Sequence, residues 1–412
     1  NSCISARCEK RINTELNMIR EVRQRYNEQF TQEKYDAFFR SLWEHFPYKI
    51  EFKVCETPVF VPKWLKKELI QAGEEIIDHL VQPNFKELSA AAIPPHLNVP
   101  GEDDHTTFLA IDFGICEDEN GNITPKLIEL QGFSSLYGHQ HAMAKAFRRY
   151  FDIPSHMNHL LGDLNDLEYE DLFRRTVLGG HKAENVVLID VEPHKQKTWV
   201  DFWDTKMMTG VEPVCISELR KSGKDIYYER NGVKIPVYRI FDRMIFDELE
   251  RRKDLQLHWD ITQPADIEWV SHPNWYFRIS KYTMPFLKSK YVPETFFGHE
   301  FDPTGKDLSQ YVLKPLYSFA GAGVKYDFSM KDLEDLENPA HFQIQKKVKY
   351  APLITTPDDP AKFEIRLMYI WEKDAPRPQL VINLTRLSKG QMIGVNFNKN
   401  RDWVGGSVSF FE

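Results

Sequence analysis

Long hydrophobic runs are missing from this chain. Nowhere in its 412 residues do apolar side chains continue for the ~20 positions that a membrane-spanning helix needs. A surplus of positive charge is missing too. Lysine and arginine number 53 against 61 aspartates and glutamates, and the net charge of −8 argues against non-specific binding to nucleic acid or to an anionic membrane. Cysteine is scarce, odd in number and scattered, at Cys3, Cys8, Cys55, Cys116 and Cys215. That pattern suggests no disulfide framework, and reduced thiols in a cytoplasmic protein are expected. Cys3 and Cys8 are spaced more loosely than a zinc knuckle and lack nearby partners, so no metal site is expected from them. The opening residues NSCISARCEKRIN hold no apolar segment, so no secretion signal is expected there. No internal repeat or low-complexity tract is present.

What is present is enough apolar material for two or three lobes, since a single core rarely grows to this length. Residues 9–48 read as helical, with Leu16, Ile19, Val22, Tyr26 and Phe30 at three- and four-residue steps. A second helix is expected from Lys63 to about Val81, and a third from about Tyr137 to Tyr150. ENVVLIDVEP reads as a buried parallel strand and residues 199–210 as its returning helix, with a hairpin at Asn231-Gly232. The aromatic group Trp199, Phe202 and Trp203 suits a core or an interface. Helix resumes around Phe277 to Lys290. Beyond Tyr291 strands dominate: YVLKP, FQIQKKV, EIRLMYIW, QLVINLTRL, MIGVNFN and SVSFF.

The most informative stretch is the acidic segment from Asp112 to Gln131. Asn120-Gly121 is a strong signal for a two-residue hairpin turn, because both residues tolerate positive φ. With that turn and an uninterrupted register, Asp112 falls opposite Glu129, and Gln131 shares the face of Glu129. The other face carries Leu109, Ile111, Phe113 and Ile115 against Ile128 and Leu130. Two facing carboxylates repel, and a hard divalent cation with oxygen ligands would relieve them. The alternative is a solvated acidic hairpin, and Pro125 is a residue that could shift the register.

Three further motifs carry chemistry. In YVLKPLYSFAGAGV a strand delivers Lys314 to a loop of small residues, Ser318 to Gly323, whose backbone could approach phosphate; a plain glycine-rich hairpin loop is the alternative. It is neither a Walker A sequence nor a dinucleotide-binding turn. In RISKYTMPFL a helix carries Lys281 ahead of VPET; a solvated helix face is the alternative. Finally, Glu364-Ile-Arg366 and Leu384-Thr-Arg386 lie on neighbouring strands and precede Asn396. Two guanidinium forks in one cleft suit carboxylate or phosphate, and surface salt bridges are the alternative. His139-Gln-His141 is spaced like a metal pair, but it enters a helix; no zinc role is expected for it, and a substrate contact is weighed against a purely structural place.

The order of these motifs resembles an ATP-grasp enzyme across residues 105 to 412. Ile128-Glu129-Leu130-Gln131, matching a magnesium-binding Glu-x-Asn that usually comes last, here comes first. That order resembles the circularly permuted ATP-grasp proteins, and the region is similar to eukaryotic glutathione synthetase and glutathionylspermidine synthase. The resemblance implies an α+β and α/β protein with two lobes gripping ATP. Its parts would be an N-terminal helical region (1–104), a permuted catalytic-lobe segment with the hairpin (105–180) and a pre-ATP-grasp α/β domain (181–276). A nucleotide lobe (277–350) and catalytic-lobe strands (351–412) packing with 105–150 would follow. It further implies that Lys281 and Lys314 contact ATP phosphates, with Ser318, Gly321 and Gly323 in the loop above them. Gln345, Lys346, Lys347 and Val348 would form the hinge that holds adenine. Asp112, Glu129 and Gln131 would hold Mg2+, while Arg386, with Arg366 and Lys314, would act on the transferring phosphoryl group. Ser134, Ser135, His139, Arg243 and Asn396 would meet substrate. The chain departs from the family at Gln131, where Asn is usual, and at Ser318, where the eukaryotic synthetases carry a magnesium-binding Glu. The implied activity is ATP-dependent ligation of a small-molecule or peptide carboxylate to an amine through an acyl phosphate. A small-molecule kinase or an inactive ATP-grasp scaffold is the alternative.

Overall fold

The computed structural model describes residues 21–317, 323–391, 393, 398 and 400–412. Leu16, Ile19, Cys3, Cys8, Ser318, Gly321, Asn396 and most of MIGVNFN lie outside the described residues. Helix α1 (Gln32–Ser41) is followed by strand β1 (Val59–Val61) and helix α2 (Lys63–Leu80). The hairpin β2 (Phe108–Glu117) and β3 (Ile123–Gln131) comes next, then helices α3 (Tyr137–Tyr150) and α4 (Asp166–Leu178). Strand β4 (Val186–Asp190), helix α5 (Trp199–Thr209) and strand β5 (Glu212–Cys215) lead into a meander of β6 (Arg220–Ser222), β7 (Asp225–Arg230) and β8 (Val233–Val237). Strands β9 (Arg239–Asp242), β10 (Glu268–Val270), β11 (Thr295–Phe297), β12 (Tyr311–Pro315) and β13 (Phe342–Lys346) follow. The last are β14 (Lys349–Tyr350), β15 (Lys362–Ile370), β16 (Gln379–Ser388), β17 (Gly405–Ser407) and β18 (Ser409–Phe411).

The largest sheet is antiparallel, in the order β14-β2-β15-β16-β17, with β3 also paired to β2. Its strands alternate. Ile111, Phe113, Ile365 and Leu367 pack on one side against the apolar stripe Leu65, Leu69, Ala72 and Ile76 of α2. Each such buried aliphatic side chain contributes about 1.5–3 kcal/mol. Gly73 allows the close approach, because a Cβ there would lie 2.1 Å from the Tyr369 hydroxyl. Alternation then puts Asp112, Glu364, Arg366 and Arg386 on the opposite face.

Strands β10-β9-β4-β5 form a parallel sheet, and the VVLID run of β4 is buried throughout, as a strand covered on both faces must be. Trp199 and Phe202 are buried and Trp203 is partly buried. A three-stranded antiparallel sheet, β11-β13-β12, carries Lys314. No helix among the described residues is long and apolar enough to cross a membrane. Cys55, Cys116 and Cys215 are free thiols, all buried.

Three local expectations give way. The helix expected over 9–48 is interrupted after Gln29, where Thr31 caps a new helix and accepts a hydrogen bond from the Lys34 amide, and that helix ends at Ser41. The helix expected from Phe277 to Lys290 is a short turn, Asn274–Arg278, then a 3-10 segment, Lys281–Phe286, capped by Ser280.

The third is the acidic hairpin. Asn120-Gly121 does not form the two-residue turn. The Asp118 carboxylate accepts from the amides of Asn120 and Asn122, and only Gly121 has positive φ (78°), which gives a longer loop. The register near the turn is therefore shifted by one residue, with Phe113 opposite Leu127. A bulge at Ile128 restores it, and Asp112 does meet Glu129. Leu127 consequently takes the core place expected of Ile128, which turns toward Gly114 on the charged face. The shift is not at Pro125, which pairs with Ile115.

Candidate functional site

The charged face of the large sheet is a network of three carboxylates and two guanidinium groups. Arg366 lies opposite Asp112 in the ladder and grips it with both ends of its fork, Nε to Oδ1 at 2.6 Å and Nη2 to Oδ2 at 2.8 Å. Arg386, one strand further, also donates to Asp112 Oδ2 and lies 3.3 Å from Glu364. Glu129 stands 3.7 Å from Arg366. Burial opposes the Asp112 carboxylate, but the two guanidinium groups outweigh it and hold its pKa below the ordinary range. Burial raises the pKa of Glu364, partly offset by Arg386. The Tyr350 hydroxyl donates to Glu364, and Gly114 makes room for the tyrosine ring, which a Cβ would meet at 2.7 Å.

The positive charge facing Asp112 is thus supplied by two arginines. Both Asp112 oxygens are engaged, so Glu129 and Gln131 are the members of the expected metal set with oxygen atoms left to offer. Gln131 Nε2 donates to Glu129 Oε1 at 3.1 Å, and Gln131 Oε1 is buried without a partner.

Glu129 and Gln131 also separate two spaces. On one side is a cleft of about 40 Å³, walled by Lys281, Ser280, Tyr276 and Tyr317 among others. On the other is a cavity of about 550 Å³, reached by Arg366, Arg386, Ser135, His139 and Gln140. Lys314 Nζ lies 3.3 Å from the Ile128 carbonyl and donates to Gln345 Oε1, while Gln345 Nε2 reaches the Leu127 carbonyl at 3.4 Å. These contacts tie the three-stranded sheet to β3 at the bulge. Burial brings the Lys314 ammonium down to about 8, with Glu129 opposing that shift and Lys281 adding to it. Lys347 and Val348 link β13 to β14 and so connect the small sheet to the large one, whereas Lys346 is exposed. Gly323 has φ of 71° and packs against Pro315.

Helix α3 supplies another wall. Its first turn has no side-chain cap of its own. Asp201 from α5 does that work, accepting from the Leu136 and His139 amides at 2.9 Å each. His139 Nδ1 is 3.0 Å from Asp204, and its Nε2, like Gln140 Oε1, is buried without a partner. Ser135 lines the cavity. Ser134 is fully buried, with its hydroxyl unpartnered. Arg243, expected to meet substrate, is 4% exposed and donates to Asp201 at 2.6 Å beneath the start of α3. Its place is in the support of the wall.

Sequence reasoning missed the contribution of the N-terminal region. Phe52 and Lys53 line the cavity, and the adjoining segment is held by Val54 bridging to Gly406 and by β1 pairing with β18. The apolar clusters Val54-Cys55 and Val59-Phe60-Val61 were the available signal. Lys197 and Arg401 complete a rim rich in positive charge.

No family model matches the chain, and no curated protein matches it. Among solved structures the chain is similar to a glutathione synthetase-like effector from Globodera pallida in its apo form. The TM-score is 0.57 at 10% identity, covering 94% of this chain and 97% of that one. The likeness is one of fold: this chain shares the mixed α and β architecture of that structure.

Proposed function

We propose that the chain is an ATP- and magnesium-dependent carboxylate–amine ligase on a circularly permuted ATP-grasp fold. The observation that carries this reading is the shared wall of Glu129 and Gln131. It has a cleft carrying Lys281 on one side and an arginine-lined cavity large enough for a small acid on the other. Lys281 and Lys314 would hold nucleotide phosphates. The 40 Å³ cleft has room for a phosphoryl group, so a whole nucleotide would enter by movement of the small sheet about Lys347 and Val348. Residues 277–350 would then be the nucleotide lobe, and 105–180 with 351–412 the catalytic one.

Glu129 and Gln131 suit Mg2+, which is commonly held by one or two protein oxygens together with substrate phosphates. The ion would offset charge on the transferring group. Arg386, whose Nε is unpartnered, would steady that group, and Arg366 would position Arg386 through their shared hold on Asp112. A substrate carboxylate oxygen would attack the γ-phosphorus and release ADP. An amine nitrogen would then attack the acyl carbon, losing a proton as phosphate departs.

A second reading is favoured by the engagement of both Asp112 oxygens: an ATP-grasp protein that binds nucleotide without ligation. An ADP-release screen across amino acids, short peptides and polyamines, with mass analysis of products, separates the two. Ligation yields ADP, phosphate and amide in equal amounts. A kinase yields a phosphorylated product without free phosphate, and a scaffold yields neither.

A further inference from the structure

On the side of α3 that the mechanism does not use, two histidines and two carboxylates converge. His141 lies two residues beyond the cavity-lining His139. Its Nδ1 is 3.1 Å from Nε2 of His159, in the segment before α4, and its Nε2 is 2.9 Å from Glu170 of α4. Asp166, the first residue of α4, places Oδ1 3.9 Å from His159 Nε2. One ligand atom from each of His141, His159 and Asp166 lies within 4.8 Å of the others. We propose that His141, His159 and Asp166 bind a borderline divalent cation of the zinc type, with Glu170 as the carboxylate behind His141.

The geometry supports each part. Tetrahedral zinc with nitrogen and oxygen bonds near 2.0–2.1 Å sets its ligand atoms about 3.3 Å apart, close to the separation of the two imidazole nitrogens. Glu170 also accepts from the Lys145 ammonium at 3.0 Å. As an ionised acceptor it takes the Nε2 proton of His141, which leaves the Nδ1 lone pair aimed at His159. A carboxylate holding the far nitrogen of a metal-bound histidine is a recurrent arrangement. His159 is 1% exposed and turns Nε2 toward His141 and Asp166, with Nδ1 on the far side of the ring. Asp166 is half exposed and can swing inward by the short distance a bond requires. A fourth position stays open to water. The ion would clasp α3, the segment around His159 and α4 together. Asn383 anchors the same segment by donating to the His159 carbonyl at 2.9 Å.

The test is titration of chelator-treated full-length protein with Zn2+ alone, followed by calorimetry and thermal unfolding, with Co2+ as a spectroscopic probe. We expect one equivalent bound, a higher unfolding midpoint and a tetrahedral Co2+ spectrum. Asp166→Ala changes an exposed side chain and should weaken binding at least ~10-fold; Glu170→Gln should weaken it ~10–100-fold. His159→Asn should abolish it. If His159→Asn fails to fold, Asp166→Ala still decides. Absence of Zn2+ binding to the unmodified chain, or equal affinity after Asp166→Ala, overturns the proposal.

Discussion

Two of the buried aspartates among the described residues, Asp112 and Asp201, are gripped by arginine, and they differ in what surrounds the grip. Asp201 accepts from Arg243, Leu136 and His139, and the guanidinium of Arg243 lies over the ring of Phe202 at 4.8 Å. Both partners are buried and the pair is closed. Asp112 is just as buried, but Arg386 is 35% exposed on its side chain and faces the cavity. The same chemistry therefore does two jobs. The closed pair pins the start of α3, and the open one leaves the Arg386 guanidinium at the cavity. What separates them is whether the guanidinium meets protein or space.

The largest effect should come from breaking the closed pair. Asp201→Ala takes from the buried Arg243 its hydrogen-bonded carboxylate and uncaps α3, so stability should fall by about 3–5 kcal/mol in denaturant unfolding. If instead it costs under about 1 kcal/mol, the pair is not a pin.

The open side should respond in turnover. Arg386→Lys keeps the charge and loses the fork, so kcat should drop strongly while nucleotide Kd and the unfolding midpoint hardly move. Weak binding with normal turnover would make Arg386 a simple binding residue. Glu129→Gln should abolish turnover and shrink the thermal shift given by Mg–ATP, which at a hundred times Kd is worth ~2.7 kcal/mol. Gln131→Asn should be tolerated in both assays; its loss of activity would show that the extra methylene is needed to reach across the wall.

Lys314 adds a pH test with opposite signs in two readouts. Its pKa of about 8 in the folded chain lies below the unfolded lysine value of about 10.4. The unfolded chain therefore holds more protons between those values, and the lysine's cost to stability below pH 8 is relieved as pH rises through that window. Nucleotide affinity should move the other way, falling about tenfold per unit above pH 8 as the ammonium is lost. Lys314→Met should flatten both profiles.

The two Asn-Gly turns show how far the sequence could be read. Asn231-Gly232 has positive φ at both residues (52° and 76°), with Arg230 paired to Val233, as a two-residue turn requires. Asn120-Gly121 has the same letters, but Asp118 two residues earlier offers its carboxylate to the loop amides and lengthens it. The expected pairing of Asp112 with Glu129 survives because the bulge at Ile128 cancels the turn's offset, and no local signal announces that bulge. Periodicity located α2, α3 and the buried strand β4, since each depends mainly on its own apolar pattern. It did not reveal that Phe52 and Lys53 build a cavity wall, or that Arg243 serves Asp201. Those are long-range contacts, and a polar residue's partner is set by the fold rather than by its neighbours in the chain. His141 and His159 meet for the same reason, whereas His139 and His141, close in sequence, diverge to Asp204 and to Glu170.

The central claim is that nucleotide phosphates sit on the Lys314 side of the wall formed by Glu129 and Gln131. Calorimetric titration of Mg–ATP into the unmodified chain and into Lys314→Ala tests it most directly. Loss of one charge-assisted contact costs about 1.5–3 kcal/mol, so binding should weaken about ten- to a hundredfold. Equal affinity in the two proteins would contradict the account.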